Sequence, residues 1–209
     1  MPQNPSSNGL KVALVGDSKV GKSTILSRLL GDSFSPLYVQ TKERVIKSKY
    51  VEVTGERPQK LQIWDTAGDG DYRTIAAYSI KDVQGIIVVF DVCEEDSYMH
   101  VQNWMSVIQN TIEHADSIVI VIAANKIDKI KTRKIQPEQI EQLAHQYSVK
   151  YVEVSAKSDD NIDKLFKLVA FELHKKAVEQ SSYKRNEDES EDDTDSIESK
   201  KSKFSCILL

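Results

Sequence analysis

One short segment limits the possible folds of this chain more than any other part of its sequence. It follows an apolar run at 10–15, precedes an amphipathic stretch at 22–30, and reads Gly16-Asp17-Ser18-Lys19-Val20-Gly21-Lys22-Ser23. The spacing matches the pattern G-x-x-x-x-G-K-[ST], which binds phosphate when it lies between a strand and a helix. Backbone N–H groups and the helix N-terminus then face the α- and β-phosphates, while Lys22 reaches the β- and γ-oxygens. The motif predicts a nucleotide site that includes Thr24, with Mg²⁺ on the Ser23 hydroxyl, and it does not distinguish ATP from GTP.

Apolar runs alternate with amphipathic stretches along the chain, a pattern that is typical of parallel strands connected by helices. The predicted strands are 10–15, 45–53, 60–64, 85–91, 118–124 and 151–154. Helices are predicted at 22–30, 97–113, after Pro137, and at 162–178. The turn at 54–58 is short enough for an antiparallel hairpin. The predicted fold class is α/β, with a six-stranded, mostly parallel sheet, one antiparallel edge strand and helices on both faces.

Length and composition predict one globular domain at 9–179, after a flexible N-terminus at 1–8. From residue 180 the chain is strongly acidic and cannot bury apolar area, so a disordered tail is predicted at 180–209. The formal net charge of −4 gives no reason to expect a nucleic-acid partner. Only Cys93 and Cys206 are present, which favours a reducing compartment, and Cys93 is expected to be a buried, inert thiol.

Two further segments follow apolar strands, Asn125-Lys126-Ile127-Asp128 and Ser155-Ala156-Lys157. Here the sequence resembles the small GTPases, whose N-K-x-D element uses its aspartate to accept hydrogen bonds from guanine. Guanine donates from its ring N1–H and the adjacent exocyclic amine. Adenine lacks this pair of donors and would leave Asp128 unpaired, and an unmade buried hydrogen bond discriminates strongly between ligands. The resemblance implies that GTP and GDP are the ligands. The residues predicted to bind them here are Asn125, Lys126, Asp128, Ser155, Ala156 and Lys157.

The segment Trp64-Asp65-Thr66-Ala67-Gly68 matches the D-x-x-G element of the same family. The resemblance implies that Asp65 holds Mg²⁺ through water and that the Gly68 N–H contacts the γ-phosphate. By the same alignment, Thr41 completes the Mg²⁺ shell in the triphosphate state, and Phe34 packs against the guanine. The predicted metal ligands are therefore Ser23, Thr41 and Asp65.

Within the small GTPases the chain is most similar to the Rab family, over roughly residues 8–178. The segments that show this likeness are 60–64, 71–75 and 86–91. The resemblance implies a monomer that alternates between GDP and GTP states and regulates vesicle trafficking. Effectors, an exchange factor, a GTPase-activating protein and a prenyl-binding carrier are its expected partners.

The chain also departs from the family pattern, first at the residues expected to act in hydrolysis, Lys22, Gly68 and Asp69. Asp69 occupies the position of the glutamine that orients the attacking water, and its carboxylate would repel the γ-phosphate. Slow hydrolysis is therefore predicted, and a scaffold that stays bound to GTP without cycling is the main alternative. A P-loop ATPase is a more distant one.

Other departures concern the phosphate loop and the surface. Lys19 replaces a small residue, and it either adds positive charge near the phosphates or points to solvent. Segments 42–46 and 79–83 differ from the Rab pattern, which predicts an unusual choice of effector.

The last four residues, Cys206-Ile207-Leu208-Leu209, form a C-a-a-X box, in which a terminal leucine favours geranylgeranylation of Cys206. One lipid chain attaches reversibly, and Lys200, Lys201 and Lys203 would add attraction to an anionic leaflet. The predicted location is the cytoplasmic face of an intracellular membrane, together with a cytosolic pool.

Overall fold

The computed structural model describes residues 9–37, 39–41, 44–66, 80–112 and 117–201, with side chains as far as residue 181. The strands in these ranges are β1 (Leu10–Val15), β2 (Val45–Val51), β3 (Gln59–Asp65), β4 (Gly85–Asp91), β5 (Val119–Asn125) and β6 (Lys150–Val154). The α-helices in the same ranges are α1 (Lys22–Leu30), α2 (Glu95–Thr111), α3 (Pro137–Gln146) and α4 (Ile162–Lys201). A short 3-10 helix spans Ile130–Thr132.

The six strands form a single sheet in the order β2-β3-β1-β4-β5-β6. β2 pairs antiparallel with β3 at one edge, and the other neighbours pair in parallel. The predicted mostly parallel sheet with one antiparallel edge strand is confirmed. Because β1, β3, β4, β5 and β6 run in the same direction, the loops that follow them lie at one edge of the sheet, where ligands of such sheets bind.

Apolar side chains fill both faces of the sheet, and β4 is buried along its whole length. On one face Ile25 of α1 and Phe166 of α4 belong to the same buried cluster. On the other face Trp104 of α2 and Leu143 of α3 belong to a second cluster, and Cys93 is buried there as predicted. The helices therefore cover both faces, which explains why the central strands read as continuous apolar runs.

Several element ends differ by one or two residues from the sequence prediction, and two of these differences have a local reason. α2 begins at Glu95 instead of residue 97, and Glu95 and Asp96 in its first turn interact favourably with the helix dipole. β2 ends at Val51 instead of residue 53, because the Val53 carbonyl already accepts a hydrogen bond from the Glu56 N–H, 3.0 Å away, in the hairpin turn.

The last helix continues to Lys201, beyond its predicted end near residue 178, whereas disorder of the tail at 180–209 stays a prediction. The greater length of the helix has a physical reason. No glycine or proline interrupts 162–201, and helical hydrogen bonds are local, so an acidic stretch can extend a helix without burying apolar area. Residues 202–209, with Cys206, lie outside the described residues.

The chain divides into two compact units, Met1–Leu173 and His174–Leu209. In the second unit the contacts follow the helix itself. Lys175 Nζ lies 3.9 Å from Glu179 Oε1, and Ser181 Oγ donates to the Ala177 carbonyl at 2.8 Å. Within the described ranges, no helix combines the length and the apolar character that crossing a membrane requires.

Candidate nucleotide-binding site

Loops that follow β1, β3, β5 and β6 line a cavity of about 440 Å³, together with the segment after α1. Most of the residues predicted to bind the nucleotide line this cavity: Ser18, Lys19, Gly21, Lys22, Ser23, Thr24, Phe34, Thr41, Asn125, Lys126, Asp128, Ala156 and Lys157. The others described lie behind it, next to lining residues: Gly16, Asp17, Val20, Asp65 and Ser155. Gly68 and Asp69 lie outside the described residues.

Two glycines of the phosphate loop occupy positions where a side chain would clash with neighbouring atoms. Gly16 has φ 138°, and a Cβ there would lie 2.1 Å from the Val89 carbonyl oxygen of β4. Gly21, with φ 104°, precedes the first residue of α1, and a Cβ there would lie 2.3 Å from Asn125 Nδ2. The loop backbone therefore packs directly against β4 and against the end of β5. Its N–H groups and the N-terminus of α1 lie at the cavity, as phosphate binding requires.

The Lys22 ammonium lies inside the loop instead of extending into solvent. Its side chain is 5% exposed, and Nζ donates to the carbonyl oxygens of Gly16 at 2.7 Å and Asp17 at 2.8 Å. A buried cation requires such acceptors. The loop therefore holds a positive charge at the place where phosphate oxygens are expected.

Lys19 adopts a backbone conformation that disfavours side chains. Its φ is 63°, in the left-handed region, and its carbonyl oxygen accepts a hydrogen bond from Lys126 Nζ at 2.8 Å. The ammonium of Lys126 also pairs with Asp91 at 2.6 Å. Main-chain atoms of the phosphate loop are thus connected to the segment that follows β5.

The three predicted metal ligands meet at one place. Ser23 Oγ lies 2.8 Å from Thr41 Oγ1, although the two residues come from α1 and the following segment. Asp65, at the end of β3, is 3% exposed, and its Oδ1 has no hydrogen-bond partner within the described part of the chain. Burial raises the pKa of Asp65, and hydrogen bonds from Ser23 and Thr41 and the charge of Lys22 only partly oppose this.

This cluster fits Mg²⁺. A buried carboxylate with an unsatisfied oxygen gains from a cation, and Mg²⁺ prefers one or two carboxylate or hydroxyl ligands supplemented by phosphate oxygens and water. The cluster has a single carboxylate, and no group of three or more His, Cys, Asp or Glu residues within the described ranges is placed to hold a metal. The site therefore suits a cation that arrives with a phosphate ligand better than one bound by protein alone.

Asn125 connects three segments around the cavity. It is 1% exposed, and its Nδ2 donates to the Val20 carbonyl of the phosphate loop at 2.8 Å. Its Oδ1 accepts from the backbone N–H of Lys126 at 2.8 Å and of Ala156 at 3.1 Å. Asn125 therefore positions the loops that follow β1, β5 and β6, in addition to lining the cavity.

Asp128 presents its carboxylate at the rim, and the loop after β6 holds it. Ser155 Oγ donates to Asp128 Oδ1 at 2.7 Å, and Lys157 Nζ lies 3.9 Å from Oδ2. The carboxylate accepts only, so it suits a ligand with adjacent N–H donors. Phe34 lines the same cavity from the segment after α1.

Sequence reasoning missed two residues that contact the phosphate loop, His100 and Trp104. Both belong to α2, and both contact the Asp17 carboxylate. Trp104 also belongs to the buried core on that face of the sheet. The spacing of residues within α2 does not indicate a contact with residue 17, so neither residue could be identified from the sequence.

Comparison with known proteins agrees with this arrangement. The model of the Ras family matches residues 11–175. Ras-related protein SEC4 of Candida albicans is 37% identical over 173 residues, which cover 82% of this chain and 80% of that protein. Ras-related protein Rab-13 of Rattus norvegicus is 38% identical over 164 residues, 78% of this chain and 79% of that protein. GTP-binding protein ypt2 of Schizosaccharomyces pombe is 37% identical over 171 residues, 81% and 84% of the two chains. With the sheet order and the phosphate loop in place, a match of this extent means that the chain belongs to the Ras family, as a Rab-like small GTPase.

Proposed function

We propose that the chain binds GTP and GDP with Mg²⁺ and acts as a membrane-attached switch in vesicle trafficking. The observation that carries the proposal is the Asp128 carboxylate, which Ser155 holds at the rim of the cavity that the phosphate loop also lines. Guanine offers that carboxylate two adjacent donors, whereas adenine would leave it unpaired. The name of the yeast relative ypt2, a GTP-binding protein, supports the same choice of base.

The polar groups of the cavity have separate roles in this proposal. Lys22 exchanges its loop carbonyl acceptors for the β- and γ-phosphate oxygens, and the loop N–H groups bind the α- and β-phosphates. Ser23, Thr41 and Asp65 would hold Mg²⁺, which neutralises charge on the β- and γ-oxygens when it is bound. In this proposal Mg²⁺ and the γ-phosphate hold Thr41 in the triphosphate state, and loss of that phosphate releases the segment after α1 to which Thr41 belongs.

Hydrolysis of GTP is proposed to be slow. Asp69 replaces the glutamine that orients the attacking water in the family, and an ionised carboxylate adds repulsion at the γ-phosphate. Gly68 would contact the γ-phosphate, and Lys22 would stabilise the transferred charge. These roles of Gly68 and Asp69 rest on the sequence pattern alone.

Single-turnover hydrolysis of GTP by the purified chain, compared with the Asp69→Gln variant, tests this rate. We expect the variant to hydrolyse GTP at least about 10-fold faster, since the amide removes the repulsion and orients water. Asp82→Asn is a suitable control, because Asp82 is an exposed aspartate that is not among the residues lining the cavity. Equal rates for the wild type and Asp69→Gln would contradict the proposed role of Asp69.

The alternative is a scaffold that binds GTP and does not cycle, and Asp69 is the reason to keep it. Absence of turnover in both the wild type and Asp69→Gln, with GTP still bound, would favour the scaffold. Competition between GTP and ATP for binding to the purified chain distinguishes the GTPase and the scaffold from an ATPase. We expect GTP to displace a bound guanine nucleotide and an equal concentration of ATP to fail.

Effectors, an exchange factor, a GTPase-activating protein and a prenyl-binding carrier belong to the proposal through the family. The surface beside the cavity supports an unusual choice of effector. Arg44 lies over the Trp64 ring, 4.3 Å from its centroid, and Val45 and Ile46 of β2 are exposed. An exposed cation beside exposed apolar side chains favours a partner with both anionic and apolar groups. Geranylgeranylation at Cys206 completes the proposal and places the chain on the cytoplasmic face of a membrane.

A further inference from the structure

The first residues of the phosphate loop are connected to a helix on the outside of the sheet. Asp17 Oδ2 lies 2.6 Å from His100 Nδ1, and Asp17 Oδ1 accepts a hydrogen bond from Trp104 Nε1 at 3.1 Å. His100 and Trp104 are four positions apart in α2, so they lie on the same face of that helix. Both oxygens of one loop carboxylate are thus held by adjacent turns of one helix.

The helix is the fixed side of this contact. Trp104 is 2% exposed and packs with Val101, Met105 and Ile108 in the core on that face of the sheet. Its indole N–H is the one donor of the side chain, and a buried indole requires an acceptor. Core packing therefore determines where α2 lies, and the loop residue is positioned against it.

Asp17 connects α2 to the phosphate-binding groups of the loop. Its carboxylate faces α2, while its main-chain carbonyl accepts a hydrogen bond from Lys22 Nζ at 2.8 Å. Farther along the loop, Lys126 holds the carbonyl of Lys19, and Asn125 holds the carbonyl of Val20. The later part of the loop is thus held from the end of β5, and its beginning is held from α2.

Charge gives a second reason for the contact. A carboxylate in a phosphate-binding loop would repel the phosphates if it turned towards them. Engagement by the His100 ring and the Trp104 N–H directs the negative charge of Asp17 towards α2 instead. The Asp17 side chain is 22% exposed and that of His100 is 40% exposed, so either can turn away if the contact is lost.

We infer that His100 and Trp104 are positioning residues that hold the phosphate loop through Asp17 and thereby prolong the time that a nucleotide stays bound. Neither residue lines the cavity. The inference rests on the proposed guanine-nucleotide site, and it specifies that the Asp17 side chain serves the loop and not the ligand.

The test is the release of a fluorescent GDP, N-methylanthraniloyl-GDP, from the full chain with Mg²⁺ and excess unlabelled GDP. We expect His100→Ala to release it about 3- to 10-fold faster, as loss of a hydrogen bond to a charged group implies. His100→Asn should restore the rate to within about two-fold, because its amide nitrogen takes the place of Nδ1. His145→Ala, an exposed histidine on α3, is the matched control and should release GDP at the wild-type rate.

Two further measurements separate positioning from general destabilisation. His100→Ala should leave the unfolding midpoint close to that of His145→Ala. In an Asp17→Asn background it should accelerate release much less than in the wild type, because the contact has already been weakened. Trp104→Phe, which retains a buried ring and loses the N–H, should also accelerate release.

The outcomes distinguish two kinds of failure. A wild-type chain that does not retain the GDP analogue would overturn the proposed nucleotide site, and this inference with it. Retention by the wild type with unchanged release from His100→Ala, or fully additive effects of His100→Ala and Asp17→Asn, would overturn the inference alone.

Discussion

At the scale of single residues, Asp65 combines burial with a proposed role in holding Mg²⁺. Its carboxylate is buried at the end of β3, one of its oxygens has no hydrogen-bond partner among the described residues, and burial raises its pKa above the ordinary value. A buried, incompletely paired charge destabilises the folded state, whereas a cation beside it removes that effect. Asp65 is therefore expected to favour binding of a cation and to destabilise the folded chain when no cation is bound.

Replacement of Asp65 with asparagine should separate these two effects. Without metal and nucleotide at neutral pH, we expect Asp65→Asn to raise the free energy of unfolding by about 1–2 kcal/mol, since an amide is cheaper to bury than a charge. In the presence of Mg²⁺, the same variant should bind GDP at least about 10-fold more weakly. Denaturant titration and equilibrium binding measure the two quantities. A less stable Asp65→Asn without metal would contradict this account.

The stability difference should also depend on pH. A raised pKa means that the folded chain binds the Asp65 proton more tightly than the unfolded chain, whose pKa is near 3.8. The destabilisation by Asp65 is therefore complete above the folded pKa and disappears as pH falls from there towards 3.8. We expect the advantage of Asp65→Asn in denaturant titrations to shrink over that range. A pH-independent difference would show that the burial of charge is not its cause.

Lys19 provides a second test at the scale of residues, because its backbone lies in the left-handed region with φ 63°. We expect Lys19→Gly to raise the free energy of unfolding by about 0.5–1 kcal/mol. This is the strain of the left-handed backbone, which glycine relieves, less the extra conformational entropy that glycine loses on folding. Lys19→Ala retains the strain and should bring no gain, which makes it the control. Both variants should weaken GDP binding equally if the Lys19 charge helps to bind phosphate. Neither should do so if that charge points to solvent.

At the scale of elements, the site depends on connections between loops, and Asn125 makes most of them. Asn125→Ala leaves the Val20 carbonyl and the N–H groups of Lys126 and Ala156 without their side-chain partner. We expect the free energy of unfolding to fall by about 2–3 kcal/mol, as for buried groups left unpaired. Nucleotide affinity should fall as well, since three loops lose their common contact.

A matched control exists for that experiment. Asn110 is exposed on α2, where its amide contacts only the neighbouring Ser106 hydroxyl, 3.4 Å away, among the contacts described. Asn110→Ala should change the free energy of unfolding by less than about 0.5 kcal/mol. Equal losses for Asn125→Ala and Asn110→Ala in denaturant titrations would contradict the assigned role of Asn125.

The elements themselves were largely predictable. β1, β4 and α1 have the bounds that the sequence predicts, because glycines of special geometry and unbroken apolar runs mark their ends. The end of α4 was not predictable from composition. Acidic composition indicates that a segment stays out of the core, but it does not determine whether its backbone is helical.

At the scale of the whole molecule, the proposed switch needs attachment to a membrane, and Cys206 is the proposed site of that attachment. We expect Cys206→Ser to move the full chain, expressed in a eukaryotic cell, from the membrane fraction to the cytosol, because the lipid anchor is lost. Cys93→Ala removes a buried thiol and should leave the distribution unchanged. Fractionation and fluorescence of a chain tagged at its N-terminus measure its distribution between membrane and cytosol. Membrane retention of Cys206→Ser would contradict lipid attachment at that residue.

The sequence by itself determined the fold class, the phosphate loop and most of the residues that line the cavity. These depend on local patterns: strand and helix periodicity, a fixed glycine and lysine spacing, and short polar segments at strand ends. Only the tertiary structure decided that Ser23, Thr41 and Asp65 lie together and that Asn125 contacts the loop after β1.

The same holds for the contact between Asp17 and α2, which joins residues more than eighty positions apart. Such contacts arise from how helices pack on the sheet, and no local pattern encodes them. The residues of the phosphate loop could be identified from their spacing in the sequence. What holds the loop in place became evident only from packing, because it is provided by side chains from β5 and α2.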